Sequence, residues 1–212
     1  MTVGKSSLWL KCIKDIDHEL IECVERVWAK VIDRLEQTDL EDKITERLVD
    51  ILREDKAACD LGFIALQHKL KEKDKIGDYT TKGILDIALF YDQDHQTYIA
   101  YECKRLNTVT EEKKRKASLA GPYVEEGIVR YATAKYSERL PYGCMIGYVM
   151  DGNICFASKQ LRSAIEKRKV LINLEYGPIN FKNSYFTAFE TTHRRKYDNS
   201  LIVVRHRLFS MI

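Results

Sequence analysis

The sequence predicts one α/β domain in which a central mixed β-sheet is flanked by helices and preceded by an N-terminal helical pair. Three observations favour this class: helical spacing of apolar residues near the N-terminus, β-branched and aromatic runs in the middle, and alternating helical and strand segments after them. A length of 212 residues suits a single compact domain. Residues 1–38 are expected to form a helix packing on the core, and residues 39–212 the main unit.

The first predicted element is a long amphipathic helix. Its apolar residues recur at alternating steps of three and four, namely Ile13, Ile16, Leu20, Val24, Val27, Val31 and Leu35. This spacing places them on one side of a helix. Thr38 and Asp39 offer an N-cap to a second helix, whose apolar side carries Leu40, Ile44, Leu48 and Ile51. The two helices are expected to pack as a pair.

Three strands are predicted next. Residues Phe63 to Leu70 alternate loosely between apolar and polar, and a loop with two glycines leads to the apolar run from Ile84 to Tyr91. Asp92 to Gln96 is expected to form a hairpin turn. The segment Thr97 to Lys104 is rich in β-branched and aromatic residues, which predicts the central strand of the sheet.

The rest of the chain alternates between helical and strand patterns. A polar, basic connector covers Asn107 to Lys116. The predicted elements after it are a helix around Tyr123 to Glu138, a strand at Cys144 to Met150, a helix at about Ile154 to Arg168, and strands at Tyr185 to Thr191 and Leu201 to Leu208.

Composition narrows the function classes without choosing among them. The net charge of +3 is too small to identify a nucleic-acid binder by itself. No apolar run approaches the roughly 18 residues that span a bilayer, and the N-terminus lacks a signal-peptide layout, so a cytoplasmic protein without membrane contact is expected. The six cysteines are scattered, which favours reduced, mostly buried thiols over a structural zinc site.

A group of acids and one lysine is suited to phosphodiester hydrolysis. That reaction needs a divalent cation, held by hard oxygen ligands, and a polarised water. Glu102 and Lys104 are two apart on a strand and therefore share a face. A hairpin would bring Asp86 alongside them. We expect Lys104 to orient or deprotonate the attacking water, helped by any burial that lowers its pKa.

The Glu-x-Lys pattern alone is weak, since it occurs five times in the chain. Only the copy at Glu102 ends a predicted strand. An aspartate inside a hydrophobic run, as at Asp86, is disfavoured without a purpose. The alternative is a Glu102–Lys104 salt bridge on an edge strand with Asp86 capping a turn.

These residues resemble a known family. Gly83-Ile84-Leu85-Asp86, followed after fifteen intervening residues by Glu102-Cys103-Lys104, is similar to the active-site hairpin of the PD-(D/E)xK, or restriction-endonuclease-like, superfamily. The resemblance covers Leu40 to Met150, and Leu85 stands where the family name has proline.

The resemblance implies a restriction-endonuclease-like core and hydrolysis of DNA that depends on Mg²⁺, with Mn²⁺ as a substitute. It implies that Asp86 and Glu102 hold the metal with the backbone carbonyl of Cys103. It also suggests restriction or phage defence as the setting.

Family members often add an acid from the helix before the strands, and the residues from Leu40 to Thr45 resemble the start of that helix. Glu41 falls about 60° from Ile44 on a helical wheel, whereas Glu46 falls at about 200°. Glu41 is therefore the candidate fourth site residue. The alternative is a first-turn glutamate that complements the helix dipole.

Candidate contacts with nucleic acid come from two basic segments and one helix. The segment from residue 104 to residue 116 contains six basic residues and two acidic ones, an excess that could contact a phosphate backbone. Such charged runs are, however, usually solvated surface. His206 alternates with apolar residues and is expected in the core. The candidates for substrate contact are Arg105, Lys113, Lys114, Tyr123, Arg130, His193 and Arg195, with helix-surface packing as the alternative for Arg130.

Two further function classes stay open. One is a catalytically silent nucleic-acid-binding or assembly module. The other is an interaction protein that dimerises through the helical pair, which is compatible with a homodimeric nuclease cutting two strands. No nucleotide-binding loop or specificity domain is visible in the sequence. The nuclease interpretation is therefore compatible with a partner ATPase or other defence subunit that licenses cleavage.

Overall fold

The computed structural model describes residues 6–73, 76–92, 97–180 and 187–212. The helices are α1 (Ser6–Ile32), α2 (Glu41–Glu54), α3 (Lys56–Leu61), α4 (Ala120–Pro122), a π-helix (Tyr123–Ile128), α5 (Val129–Ala132) and α6 (Ile154–Lys167). Within the described residues no helix is long and apolar enough to span a membrane.

Seven of the strands in the described residues form one mixed sheet in the order β1-β2-β3-β6-β9-β8-β7. The strands are β1 (Phe63–Lys73), β2 (Tyr79–Phe90), β3 (Tyr98–Leu106), β4 (Thr108–Val109), β5 (Arg115–Ala117), β6 (Tyr142–Val149), β7 (Leu174–Asn180), β8 (Ala188–Arg194) and β9 (Leu201–Ser210). The β3–β6 and β6–β9 pairs are parallel, and the other pairs are antiparallel. The short strands β4 and β5 form a separate hairpin.

Helices cover both faces of the sheet, which confirms the predicted α/β class with a mixed central sheet. On one face the apolar sides of α1 and α2 pack on sheet residues such as Ile87 and Ile146. On the other face the π-helix and α6 pack on Leu85, Ala100 and Val204. The hairpin of β2 and β3 therefore lies between two helical layers.

The predicted helix around Tyr123 to Glu138 is shorter in the structure, where the π-helix and α5 together end at Ala132. Ala134 and Ser137 adopt left-handed backbone conformations, with φ of 58° and 51°, which a continuing α-helix does not allow. The segment after Ala132 instead forms a loop, here called the 133–141 loop, that returns the chain to β6.

Other differences concern extra or displaced elements. The basic connector contains the β4–β5 hairpin, and β7 was not predicted. Residues 93–96 of the predicted turn and residues 185–186 of the predicted strand lie outside the described residues, and β8 begins at Ala188.

The buried carboxylate of Asp17 fastens α1 to the sheet. It accepts hydrogen bonds from Tyr101 Oη on β3 (3.0 Å), from Tyr142 Oη (2.8 Å) and Cys144 Sγ (3.1 Å) on β6, and from Arg205 Nη1 on β9 (2.6 Å). Asp17 is fully buried, so this charge depends on its partners inside the protein. Three strands are thereby tied to one helical residue.

Candidate active site

Strand β2 changes face at Asp86. Leu85 packs in the core under the π-helix, whereas Ile87, two residues later, packs in the core under α1 and α2. In a regular strand residues two apart point the same way, so the strand must twist between them. Gln67, on the paired strand β1, has a φ of 48° at this point. Asp86 therefore projects at an irregularity in the sheet.

The two strands of the hairpin separate beside Asp86. Pairing between β2 and β3 runs from Phe90↔Tyr98 to Ile87↔Tyr101 and extends no further among the described residues. The amide of Cys103 donates instead to Asp86 Oδ2 at 2.7 Å. Because the side chain replaces a backbone partner, Asp86 is held close to β3 where the strands diverge.

Lys104 is the centre of the cluster. Its Nζ lies 2.9 Å from Glu102 Oε1, 2.7 Å from Glu41 Oε1 and 2.9 Å from the carbonyl oxygen of Cys103. The side chain is 12% exposed. Burial lowers the pKa of Lys104, but the charges of Glu102 and Glu41 outweigh burial, and the pKa lies above its usual value. The neighbouring carboxylates favour the charged ammonium group, so the site favours Lys104 as a hydrogen-bond donor to the attacking water over Lys104 as its base.

Glu41 joins the cluster from the first turn of α2. Its Oε1 accepts from Lys104, and its Oε2 accepts from the amide of Arg105 at 2.9 Å. Glu46, on the same helix, is exposed. The helical wheel placed both glutamates as the structure does, and Glu41 is the helix acid that meets β3.

Glu102 is fully buried and held by a second cation. Arg130 Nη1 donates to Oε1 at 2.6 Å and to Oε2 at 2.7 Å, and the same nitrogen lies 2.7 Å from Tyr136 Oη. Tyr136 in turn donates to the carbonyl of Ile84. Arg130 therefore links the helical layer to both strands of the hairpin, with a side chain that is still 29% exposed.

The π-helix before Arg130 packs directly over the site. A Cβ added at Gly127 would lie 2.3 Å from Met145 Cε and 3.8 Å from Glu102 Cγ. An added Cβ would displace the end of the Met145 side chain, so glycine at this position allows the close approach of the helix without that shift. Such π-helical segments are frequent at functional sites.

The donor set fits a divalent cation by its chemistry. Three carboxylates, on Asp86, Glu102 and Glu41, face two cations, Lys104 and Arg130, which leaves a surplus negative charge. Burial raises the pKa of Asp86 to about 7, and the nearby charge of Glu102 acts in the same direction. Among the described residues the carboxylate of Asp86 accepts a single hydrogen bond. Carboxylate oxygens short of positive charge are what Mg²⁺ prefers.

The candidate metal ligands are not arranged around a common point in this structure. Within the described residues no group of three or more acidic, histidine or cysteine side chains is placed to hold a metal ion. Arg130 covers both oxygens of Glu102, and Lys104 bonds the carbonyl of Cys103. A cation bound by Asp86 and Glu102 would have to share or displace these contacts.

Some predicted substrate contacts lie at accessible positions. A cleft of 460 Å³ beside the cluster is lined by Lys104, Arg105 and Glu41, among others. The guanidinium of Arg105 reaches the carbonyl of Asp39 at 3.1 Å. Lys113 and Lys114 are exposed in the turn between β4 and β5.

Three predicted substrate contacts are wrong, because these side chains are inside the protein. Tyr123 and His193 are fully buried, and Arg195 is 2% exposed. The guanidinium of Arg195 donates to the carbonyls of Ser137, at 2.5 Å, and Leu140, at 3.0 Å. It thus holds the 133–141 loop, a role that its place in a basic run did not indicate.

The buried histidines form one chain of hydrogen bonds. His193 Nδ1 lies 2.9 Å from the carbonyl of Ile172, which can only accept, so Nδ1 carries the proton. His193 Nε2 then accepts from Thr191 Oγ1 (2.7 Å), which accepts from His206 Nε2 (2.8 Å). His206 Nδ1 accepts from Tyr123 Oη at 3.2 Å. Both imidazoles are neutral in this chain, and the expected core position of His206 is confirmed.

The neutral state of His193 in this series of hydrogen bonds is expected to make a destabilising contribution in mild acid. Burial lowers the pKa of His193 from 6.5 to about 4. Above pH 6.5 the imidazole is neutral in the folded and unfolded states, and below it the unfolded chain binds a proton that the folded chain does not. The contribution of His193 to the free energy of unfolding is expected to fall by about 3 kcal/mol as the pH drops through this window, while Asp86, whose pKa is raised in the folded state, contributes in the opposite direction.

Urea unfolding at a series of pH values between these limits measures the effect. The variant His193→Gln should show a smaller fall with decreasing pH. The matched control is His18→Gln, which changes an exposed histidine on α1 and should keep the wild-type slope. Equal slopes in wild type and His193→Gln would contradict the prediction.

Comparison of the chain with protein-family models, with curated proteins and with solved structures finds no match. The function is therefore argued from the geometry of the site.

Proposed function

We propose that the protein is a metal-dependent phosphodiesterase that hydrolyses DNA at the cluster of Asp86, Glu102, Lys104 and Glu41. The observation that carries the proposal is the convergence at Lys104 Nζ, which contacts Glu102 and Glu41 at 2.9 and 2.7 Å. Asp86 reaches the same segment through the Cys103 amide at 2.7 Å. A salt-bridged pair on an edge strand would not require two further acids from separate elements.

Each residue has a distinct task in this proposal. A bound Mg²⁺ or Mn²⁺ would neutralise the phosphate and polarise a water molecule. Asp86 and Glu102 would hold it with the carbonyl oxygen of Cys103. Lys104, which stays protonated, donates hydrogen bonds to the attacking water and to a phosphate oxygen. Glu41 keeps the ammonium group in place.

Arg130 has a positioning task in this proposal. Its Nη1 holds both oxygens of Glu102, at 2.6 and 2.7 Å. The rotamer of this buried carboxylate is thereby set before substrate binds, which favours a preorganised site.

A cleavage assay tests the proposal. Plasmid, linear duplex and single-stranded DNA, and RNA, are incubated with Mg²⁺, with Mn²⁺ or with EDTA. We expect DNA to be cut with either cation and to stay intact in EDTA. Cleavage that survives both Asp86→Ala and Lys104→Ala would overturn the assignment of the site. Restriction or phage defence is the setting proposed for this activity. If a partner subunit is required, the purified protein alone should not cut DNA, and adding cell extract should restore cleavage.

One observation favours a second candidate, the catalytically silent nucleic-acid-binding module. Both oxygens of Glu102 are already bonded to Arg130, and the Cys103 carbonyl to Lys104, so the cluster can serve as a closed ion network. In that case DNA is bound but not cut under any condition, and Asp86→Ala leaves DNA affinity unchanged.

Replacing Glu41 with glutamine separates the two candidates further. The amide keeps the size of the side chain but removes one of the charges that hold Lys104. We expect the rate of cleavage to fall by about tenfold to a hundredfold, the size of effect caused by a misplaced catalytic group. The matched control is Glu46→Gln, which alters an exposed glutamate on the same helix. Equal rates in the two variants would remove Glu41 from the site.

A further inference from the structure

A two-stranded ribbon leaves the sheet at the candidate active site. Strand β2 pairs with β3 over Ile87–Phe90, but its pairing with β1 continues to Lys73↔Tyr79. Residues 68–73 and 79–85, here called the β1–β2 arm, therefore lack a β3 partner in the described residues. At about 3.3 Å per residue the arm reaches about 20 Å from Asp86.

One face of the arm carries lysines at every second position. Lys69, Lys71 and Lys73 are exposed, whereas the intervening Leu70 is half-buried. A register shift falls between Leu70 and Lys71, but the extra residue is Lys82 on β2, so the alternation along β1 is kept. Alternate residues of a strand share a face, and the three ammonium groups therefore project together. Lys69 pairs with Ile84, two residues from Asp86, and the basic face thus begins beside the site. Within the described part of the chain none of the three forms an ion pair.

The opposite face of the arm is partly covered. The ring of Tyr136 lies against Gly83, where an added Cβ would be 2.8 Å from Tyr136 Cε1. Lys82 Nζ forms an ion pair with Glu138 at 2.5 Å. The 133–141 loop therefore supports the base of the arm from this side and leaves the lysine face open.

We infer that the β1–β2 arm binds the phosphate backbone of double-stranded DNA and holds the duplex beside Asp86. The inference rests on the proposed function and specifies double-stranded DNA as the substrate. Lysines on every second residue repeat at about 6.6 Å, so the three span about 13 Å. That matches a major groove of about 12 Å, which admits a two-stranded β-ribbon.

Charge and position both favour DNA as the partner. The arm offers Lys69, Lys71 and Lys73 against one acid of its own, Glu72. Such a row of ammonium groups neutralises phosphates one by one and releases counterions. Lys73 Nζ lies 5.3 Å from the centre of the Tyr79 ring, which keeps the last lysine near the strand.

The test compares two triple variants of the full-length protein. In the first, Lys69, Lys71 and Lys73 are replaced with alanine. In the control, three exposed lysines on α1 and α6 are replaced, namely Lys30, Lys159 and Lys167. Both variants lose the same charge. Binding to a short duplex and to its single strand is measured by fluorescence anisotropy in EDTA, so that no strand is cut.

The arm variant is expected to bind duplex DNA at least tenfold more weakly than the control variant. The slope of log Kd against log salt, between about 50 and 200 mM, should fall by about 2.7, or about 0.9 for each phosphate that the arm no longer neutralises. Equal affinity and slope in the two variants would overturn the inference. So would a weakening confined to the single strand. Thermal unfolding of both variants verifies that they are folded.

The outcomes separate this inference from the proposed function. If the wild type cuts DNA and the arm variant binds and cuts as the control does, the inference fails and the proposed function stands. If the wild type cuts nothing but the arm variant loses duplex binding, the arm is retained on a silent binding module.

Discussion

Replacing Lys104 with methionine is expected to reduce the rate of DNA cleavage by about 10²- to 10³-fold, the usual loss when one donor to a developing charge is removed. Lys104 Nζ lies within hydrogen-bonding distance of both Glu102 and Glu41, at 2.9 and 2.7 Å. Without it, the cluster has no ammonium group to hold the attacking water. Methionine keeps most of the length of the buried stem, so the side chain still packs.

The measurement is the rate of plasmid cleavage at saturating Mg²⁺, with duplex binding measured separately in EDTA. Because the proposed role of Lys104 is to act on the reacting atoms, the rate should fall much more than the affinity. The matched control is Lys56→Met, which changes an exposed lysine on α3. If both variants cut at the wild-type rate, Lys104 has no part in the chemistry.

Replacing Asp17 with alanine is expected to destabilise the protein by about 3 to 5 kcal/mol, the cost of breaking a buried ion pair on one side. Arg205 Nη1 would lose the Asp17 carboxylate at 2.6 Å while its side chain remains only 8% exposed. The hydroxyls of Tyr101 and Tyr142 would lose their acceptor as well. The loss is large because Tyr101 and Tyr142 are almost fully buried and have few other acceptors within reach of their hydroxyls.

Urea unfolding followed by circular dichroism gives the free energy for Asp17→Ala. The control is Asp15→Ala, two residues away on α1, where the carboxylate is exposed and a change within about 0.5 kcal/mol is expected. If Asp17→Ala does not fold, the double variant Asp17→Leu with Arg205→Met removes both charges. It should be markedly more stable than Asp17→Ala alone. A single variant as stable as the control would contradict the network.

Much of the candidate site could be predicted because strand and helix geometry are local. Residues two apart on a strand share a face, which placed Glu102 and Lys104 together, and the helical wheel turned Glu41 inward and Glu46 outward. The antiparallel pairing of β2 with β3 confirms the hairpin. The twist at Asp86 was not predictable, because it arises from pairing with β1 at Gln67.

The failed substrate contacts have one cause. His193 and Arg195 stand in a basic run, and Tyr123 has no exposed surface. Each of the three has at least one partner that is distant in sequence. Arg195 donates to carbonyls 55 to 58 residues away, Tyr123 bonds to His206, 83 residues away, and His193 bonds to Ile172, 21 residues away. A charged or polar residue can be buried where such partners bond to it. The same residue without these partners would remain in solvent.

The sequence by itself determined the α/β class, the order of the main helices and strands, the shared face of Glu102 and Lys104, and the inward side of Glu41. These follow from apolar periodicity, because each element must turn one side toward the core. Only the tertiary structure decided which charges meet. Lys104 with Glu41, 63 residues apart, and Asp17 with Arg205, 188 apart, are joined by packing of whole elements. The projection of the β1–β2 arm depends likewise on where β3 stops pairing, which no local pattern encodes.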